Sequence, residues 1–192
     1  MGALTTMRAA FQGWNLSWSG LRRNTQGEWW LMGQIALILA TILCPSWPQT
    51  SAALMEPTQK QALLLAGIVV LAIGLVLAAS AFLALGDNLS PLPDPKPGIQ
   101  IVRQGPYQLC RHPMYLAVLV CAAGVLLIRQ SALQLVLLLA LGVVLRGKAQ
   151  REERGLTAQH PDHATVMGQT PAIAAWLPGL NWPLNSDARS QR

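Results

Sequence analysis

Apolar residues gather into four runs, with polar residues confined to the stretches between them. The first run is Trp29–Leu43, closed by Pro45 and Pro48. The second, Gln61–Leu85, has 25 residues with no charge and no proline. As a helix it measures roughly 37 Å at about 1.5 Å per residue, enough to cross a bilayer with some tilt. The third run is Met114–Ile128, and after Arg129-Gln130-Ser131 comes the fourth, Ala132–Leu145. These last two predict a helical hairpin. The first, third and fourth runs fall short of the roughly 20 residues a spanning helix needs. The third can lengthen through Pro113, and the fourth through Arg146 to Ala158. At such lengths periodicity does not separate a span from a buried core helix; the run of 25 decides the class. The expectation is an all-α integral membrane helical bundle of about four transmembrane helices. It comprises an N-terminal cytoplasmic or interfacial segment (1–28), a bundle (29–147) with a cytoplasmic loop at 86–113, and a cytoplasmic C-terminal segment (148–192).

Composition supports this class. Charged residues make up 11% of the chain, against roughly 25% in a soluble domain. Of the 14 basic residues, twelve fall before the first run, between runs two and three, or after run four. Only Lys60 and Arg129 lie on the other side. By the positive-inside rule this places both termini in the cytoplasm. Short loops and the lack of a transit peptide favour a prokaryotic plasma membrane. Residues 1–28 contain Arg8, Arg22 and Arg23 but no apolar h-region, so no cleavable signal peptide is expected. Trp14 and Trp18 there suit an interfacial helix.

The net charge of +6 raises nucleic acid as a partner. With two Phe, two Tyr and no basic run interleaved with aromatics, that partner fits poorly and no nucleic acid is expected; the seven Trp suit a bilayer boundary instead. Cys44, Cys110 and Cys121 are too few and scattered for a disulfide framework or a zinc site. His160 and His163 flank Asp162 without a third ligand at convincing spacing, so no metal is expected.

The two polar stretches that share a side are Gly86–Pro113 and the tail after run four. The hairpin makes Arg111-His112-Pro113 and Lys148–Arg154 neighbours. Pro91, Pro93, Pro95 and Pro97 favour an extended loop, and Gly98 and Gly105 permit turns. Pro113 suits the first helical position, and that helix start offers N–H donors and a positive dipole end. His112 lies just outside it and Tyr115 two residues in. Glu152 and Glu153 are about 100° apart on a helix, so one is expected to face the pocket and the other solvent or an Arg. Structural readings stand beside these: Arg111 as a membrane anchor, Tyr107 and Tyr115 as interface residues, and Glu152 with Lys148 as a solvated i,i+4 pair.

GPYQLCRHPMY, followed some forty residues later by REER, resembles the isoprenylcysteine carboxyl methyltransferase family and its phospholipid methyltransferase relatives. Gly105, Tyr107, Arg111, His112, Pro113, Tyr115, Glu152 and Glu153 match the shared pattern, and the similarity runs over about residues 80–178. Ala117 stands where the family usually has Gly, and His160, His163 and Val166 where it usually has aromatics. The resemblance implies an S-adenosyl-L-methionine-dependent methyltransferase acting on a lipophilic or prenylated acceptor at the cytoplasmic face of the lipid bilayer. It implies that Arg111, His112 and the adjoining helix start receive the cofactor's carboxylate, and that Glu152 or Glu153 receives its ammonium or ribose. Tyr107, Pro113 and Tyr115 would shape the pocket, with Arg111, His112 and Tyr115 at the chemistry. A carboxylate acceptor needs no base, whereas a phosphatidylethanolamine amine must lose a proton, to His112 or a Glu. Acceptor class and oligomeric state stay open. The alternatives are a phospholipid or other small-lipophile methyltransferase and a non-catalytic membrane scaffold. A transporter is disfavoured, because the runs contain no ionisable residue.

Overall fold

The computed structural model describes residues 22–24, 26–46, 55–94, 101–160 and 162–184. Trp14, Trp18, Pro48, Pro95, Pro97 and Gly98 lie outside them. Every regular element among the described residues is helical: α1 (Glu28–Leu43), α2 (Pro57–Leu85), α3 (Pro113–Arg129), α4 (Ala132–Gln159) and the short α5 (His163–Met167). Two 3-10 turns, Gly86–Asn88 and Gly105–Gln108, lie between α2 and α3.

The helices begin where local chemistry permits. Pro57 opens α2 at the first helical position, and Glu56 and Gln59 form a capping box around it. The helix therefore starts four residues before the uncharged run does. Pro113 opens α3 with His112 as its N-cap. Gln130 takes a left-handed conformation, φ 49°, and turns the chain into α4. Arg129, in that turn, reaches across to α1. Its Nη1 and Nη2 donate to the carbonyls of Cys44 and Ile42, each at 2.8 Å, which satisfies acceptors that a helix end leaves open.

α3 and α4 are consecutive and antiparallel in sense, but each has its most extensive contact elsewhere: α3 with α2, and α4 with α1. Small residues explain the first pairing. A Cβ at Gly124 would stand 2.7 Å from Leu71 N and 2.9 Å from Gly67 O. One at Gly74 would stand 2.8 Å from Cys121 N and 3.2 Å from Ala117 O. Backbones approach this closely only where side chains are absent or small. Ala117 is fully buried in that seam, so its departure from the family pattern is a packing matter.

α2 and α4 are long and apolar enough to cross a membrane. Only 11% of the most apolar window of α2 is buried, so α2 is not the core helix of a soluble protein. Leu65, Val69, Ile73, Val76 and Leu83 stand exposed along it, an apolar surface that suits lipid rather than water. The core lies between α3 and α4, where Tyr115, Leu119, Leu141, Leu145 and Ala149 pack around Ile173 of the C-terminal segment.

Candidate functional site

The polar chemistry is concentrated at one end of the bundle, where the start of α3, the second half of α4 and residues 170–182 meet. The backbone N–H groups of Arg111 and His112 donate to the carbonyls of Pro171 and Ala172, at 2.8 and 3.0 Å. This short pairing fixes the segment that enters α3. Arg111 is 6% exposed. Its Nε donates to Glu153 Oε1 at 2.7 Å, Nη1 to Thr170 O at 2.5 Å, and Nη2 to Trp182 O at 2.7 Å. The guanidinium therefore clamps α4 and the C-terminal segment to the start of α3. Three of its five N–H groups serve these protein acceptors, which makes Arg111 a structural clamp and leaves one N–H on each Nη.

Glu153 is the centre of this knot. Oε1 accepts from Arg111 Nε and faces His112 Nε2 at 3.0 Å, and Oε2 accepts from Trp182 Nε1 at 2.6 Å. An ionised carboxylate only accepts, so the proton of this bond sits on His112 Nε2, and in the neutral form of the ring the lone pair falls on Nδ1. Nδ1 is 3.7 Å from Glu152 Oε2. The Tyr115 hydroxyl donates to that same Oε2 at 2.8 Å. The rings of Tyr115 and His112 are stacked, 5.3 Å between centroids and 7° from parallel. Stacking on one face and hydrogen bonding at one edge leave the imidazole little freedom.

Glu152 and Glu153 do diverge on α4, yet both reach His112, one at each ring nitrogen. The expectation that only one faces the pocket is corrected here: the ring stands between the two carboxylates, so their divergence brackets it. Glu153 does meet an Arg, as expected of one of the pair, while Glu152 keeps 31% of its side chain exposed. The solvated i,i+4 pair is corrected as well. Lys148 is 3% exposed and donates from Nζ to Gln34 Oε1 of α1 at 2.7 Å. α4 is packed against α1 at this level, so the Lys148 face of the helix is interior.

Two adjoining chambers open on this arrangement. The larger, about 280 Å³, lies between α1, α2, residues 88–93 and α4, and is lined by Gln34, Met114, Tyr115, Lys148 and Glu152 among others. The smaller, about 60 Å³, extends towards Leu156, His163 and Met167. Tyr107, Arg111, His112 and Glu152 border both. Small-molecule sites usually measure about 300–1,000 Å³, mostly apolar with a few polar groups. Together the chambers reach the lower end of that range.

Tyr107 sits in the second 3-10 turn, where Gly105 takes φ 59°. Burial, and then the fields of Glu152 and Cys110, raise its hydroxyl above the ordinary tyrosine value, so it is a neutral donor. Burial likewise pushes the Cys110 thiol up to about 11, which makes it an inert packing group. At the start of α3, Pro113 has no N–H, and the N–H of Tyr115 donates to His112 O at 3.1 Å. The N–H of Met114, which borders the larger chamber, is the first that α3 has to offer a ligand.

All seven expected site residues are thus in one place. His163, which stands where the family usually has an aromatic, borders the smaller chamber. Three contributors were not expected: Gln34, Lys148 and Trp182. Lys148 had a signal, since it lies one turn before Glu152 on the same helix face. Gln34 and Trp182 had none, because their contacts span 114 and 29 residues.

Comparison with known proteins supplies the family. The chain is 36% identical over 74 residues to the cobalt-zinc-cadmium resistance protein CzcN of Cupriavidus metallidurans, an alignment covering 38% of this chain and 34% of that protein. The chain thus spans about a third of the length of this curated relative. No solved structure matches. The family model of phospholipid methyltransferases matches residues 62–160, from the start of α2 through the Glu152-Glu153 pair, and the chain belongs to that family.

Proposed function

We propose that this protein is a membrane methyltransferase that uses S-adenosylmethionine to methylate a lipophilic acceptor. The observation that carries this reading is His112, held between Glu153 and Glu152 at the edge of a partly apolar cavity. The donor set fits the cofactor. Glu152 offers a partly exposed carboxylate for an ammonium or for ribose hydroxyls. Tyr107 offers a neutral hydroxyl, and apolar side chains of the larger chamber suit an adenine. When bound, the cofactor supplies a methyl group on a sulfonium, open to in-line displacement. The protein's work is alignment, exclusion of water and placement of charge.

Within this reading Arg111 is a positioning residue. With Trp182 it fixes Glu153, and Glu153 fixes the ring of His112. Such a carboxylate–imidazole arrangement leaves Nδ1 as the atom able to take a proton. That favours an acceptor that must lose one, such as the amine of an aminophospholipid, and the family's description points the same way. An isoprenylcysteine carboxylate, already ionised, has no need of it and is the second acceptor class. For topology, we take α1 to α4 as spans, α1 and α3 being the short ones at 16 and 17 residues, with both termini cytoplasmic, from the distribution of basic residues. A role in metal resistance, which the relative's name carries, is no part of this reading.

The test is transfer of labelled methyl from S-adenosylmethionine into phosphatidylethanolamine and into a farnesylated cysteine, by protein in lipid nanodiscs. His112→Gln is expected to lower transfer to the amine by about 10²–10⁴-fold with little change in cofactor binding. Transfer to the carboxylate alone, unaffected by His112→Gln, would overturn the base assignment. Transfer to neither acceptor nor to a total lipid extract would overturn the enzyme reading.

A further inference from the structure

Lys148 has no part in the chemistry described so far, and its surroundings are unusual for a lysine. It is 3% exposed. Its Nζ donates to the neutral amide oxygen of Gln34 at 2.7 Å and lies 5.3 Å from the centroid of the Tyr115 ring. An ammonium has three N–H donors and no acceptor. Among the described residues Lys148 takes part in no ion pair. Burial of a charge is costly unless it is paired and hydrogen-bonded. A buried ammonium that borders a cavity while bound to one amide oxygen therefore has capacity for an anion entering that cavity.

Glu152 follows one helical turn later on α4. Side chains at this spacing have Cβ atoms about 5–6 Å apart on one helix face. Both border the larger chamber. A cation and an anion at that spacing match an α-amino acid, which carries a carboxylate and an ammonium on the same carbon. Arg111, the other cation at the chamber, gives three of its five N–H groups to Glu153, Thr170 O and Trp182 O and already has Glu153 as counter-charge, whereas Lys148 has none among the described residues.

Resting on the cofactor reading above, we infer that the larger chamber receives the amino-acid end of S-adenosylmethionine, its carboxylate at Lys148 and Gln34 and its ammonium at Glu152. This orients the cofactor with its methionine portion towards α1. The hydrogen bond to Gln34 also ties α4 to α1, so a loss of stability in variants says nothing about ligand recognition. The experiment therefore reads a ratio between two ligands.

Calorimetry in nanodiscs compares S-adenosylmethionine with its decarboxylated analogue, which keeps the ammonium and the sulfonium. Wild-type protein is expected to bind the complete cofactor about 10- to 100-fold more tightly, the range of a hydrogen bond to a charged group. Lys148→Met should bring that ratio close to one, and Gln34→Leu should reduce it by a smaller factor. Glu152→Gln should weaken both ligands alike and leave the ratio intact. A ratio unchanged in Gln34→Leu and, where it folds, in Lys148→Met would overturn the inference. So would wild-type protein that binds both ligands equally. Wild-type protein that binds neither would instead overturn the cofactor reading itself.

Discussion

The seam between α2 and α3 and the knot around Glu153 both hold helices together, by opposite means. In the seam nothing is charged. Gly67, Gly74 and Gly124 let two backbones approach until a Cβ would stand under 3 Å from the opposing chain. In lipid there is no hydrophobic force between helices, so close van der Waals packing of this kind is what remains. In the knot an arginine, a histidine and a glutamate are nearly all inside, with 3%, 6% and 7% of their side chains exposed. Buried charges gain little net stability over well-packed apolar residues. What the knot provides is position, since it fixes one imidazole and binds the C-terminal segment to α3 and α4. The seam holds the scaffold and the knot holds a reactive group, and the two should fail differently.

The largest expected effect is at the knot. Glu153→Gln leaves the Arg111 guanidinium buried without its counter-charge, a change that costs about 3–5 kcal/mol. Thermal unfolding in detergent should register it, and residues 170–184 should become sensitive to limited proteolysis. Unchanged stability would mean that the knot is not a unit. Arg111→Lys keeps the charge but loses the planar fork that serves three acceptors at once. It should lose less stability than Glu153→Gln in the same measurements.

In the seam, Gly124→Leu places a side chain against Leu71 N and Gly67 O. Overpacking of this kind costs about 1–3 kcal/mol, and cofactor affinity should fall only as far as the fold does. A loss of affinity at full stability would break the distinction between scaffold and site. The smallest effect is at Cys110, 2% exposed with its thiol pushed up to about 11. At neutral pH maleimide should label it far more slowly than the protein unfolded in detergent.

Much of this architecture was legible as apolar runs, because uninterrupted apolar stretches bounded by proline or charge mark out helices by composition alone. α1 and α3 match their runs to within one residue at each end. α2 begins earlier because Pro57 and the Glu56–Gln59 capping box start a helix in polar sequence, where hydropathy is silent. The continuation of α4 through Glu153 was legible from a stretch of good helix formers. The pairing of α3 with α2 was not, since a lone glycine in an apolar run does not say which neighbour it meets.

At the site, the proximity of His112 to Glu152 and Glu153 followed from the hairpin. The roles of individual residues did not. Arg111 reads as a ligand-binding cation in the motif, but its donors meet carbonyls 59 and 71 residues away, contacts made only by the folded C-terminal segment. Lys148 reads as a surface residue until α1 covers it. Motifs report which residue types gather, whereas satisfaction of their hydrogen bonds depends on distant backbone.

The most direct test of the central claim is S-adenosylmethionine binding, measured by calorimetry on wild-type protein and on Glu152→Gln in lipid nanodiscs. Glu152 is partly exposed and lies outside the Arg111–Glu153–Trp182 knot, so the variant should unfold at nearly the wild-type temperature. The account expects saturable binding by the wild type and at least tenfold weaker binding by the variant. Well-folded wild-type protein that shows no saturable binding would contradict the account.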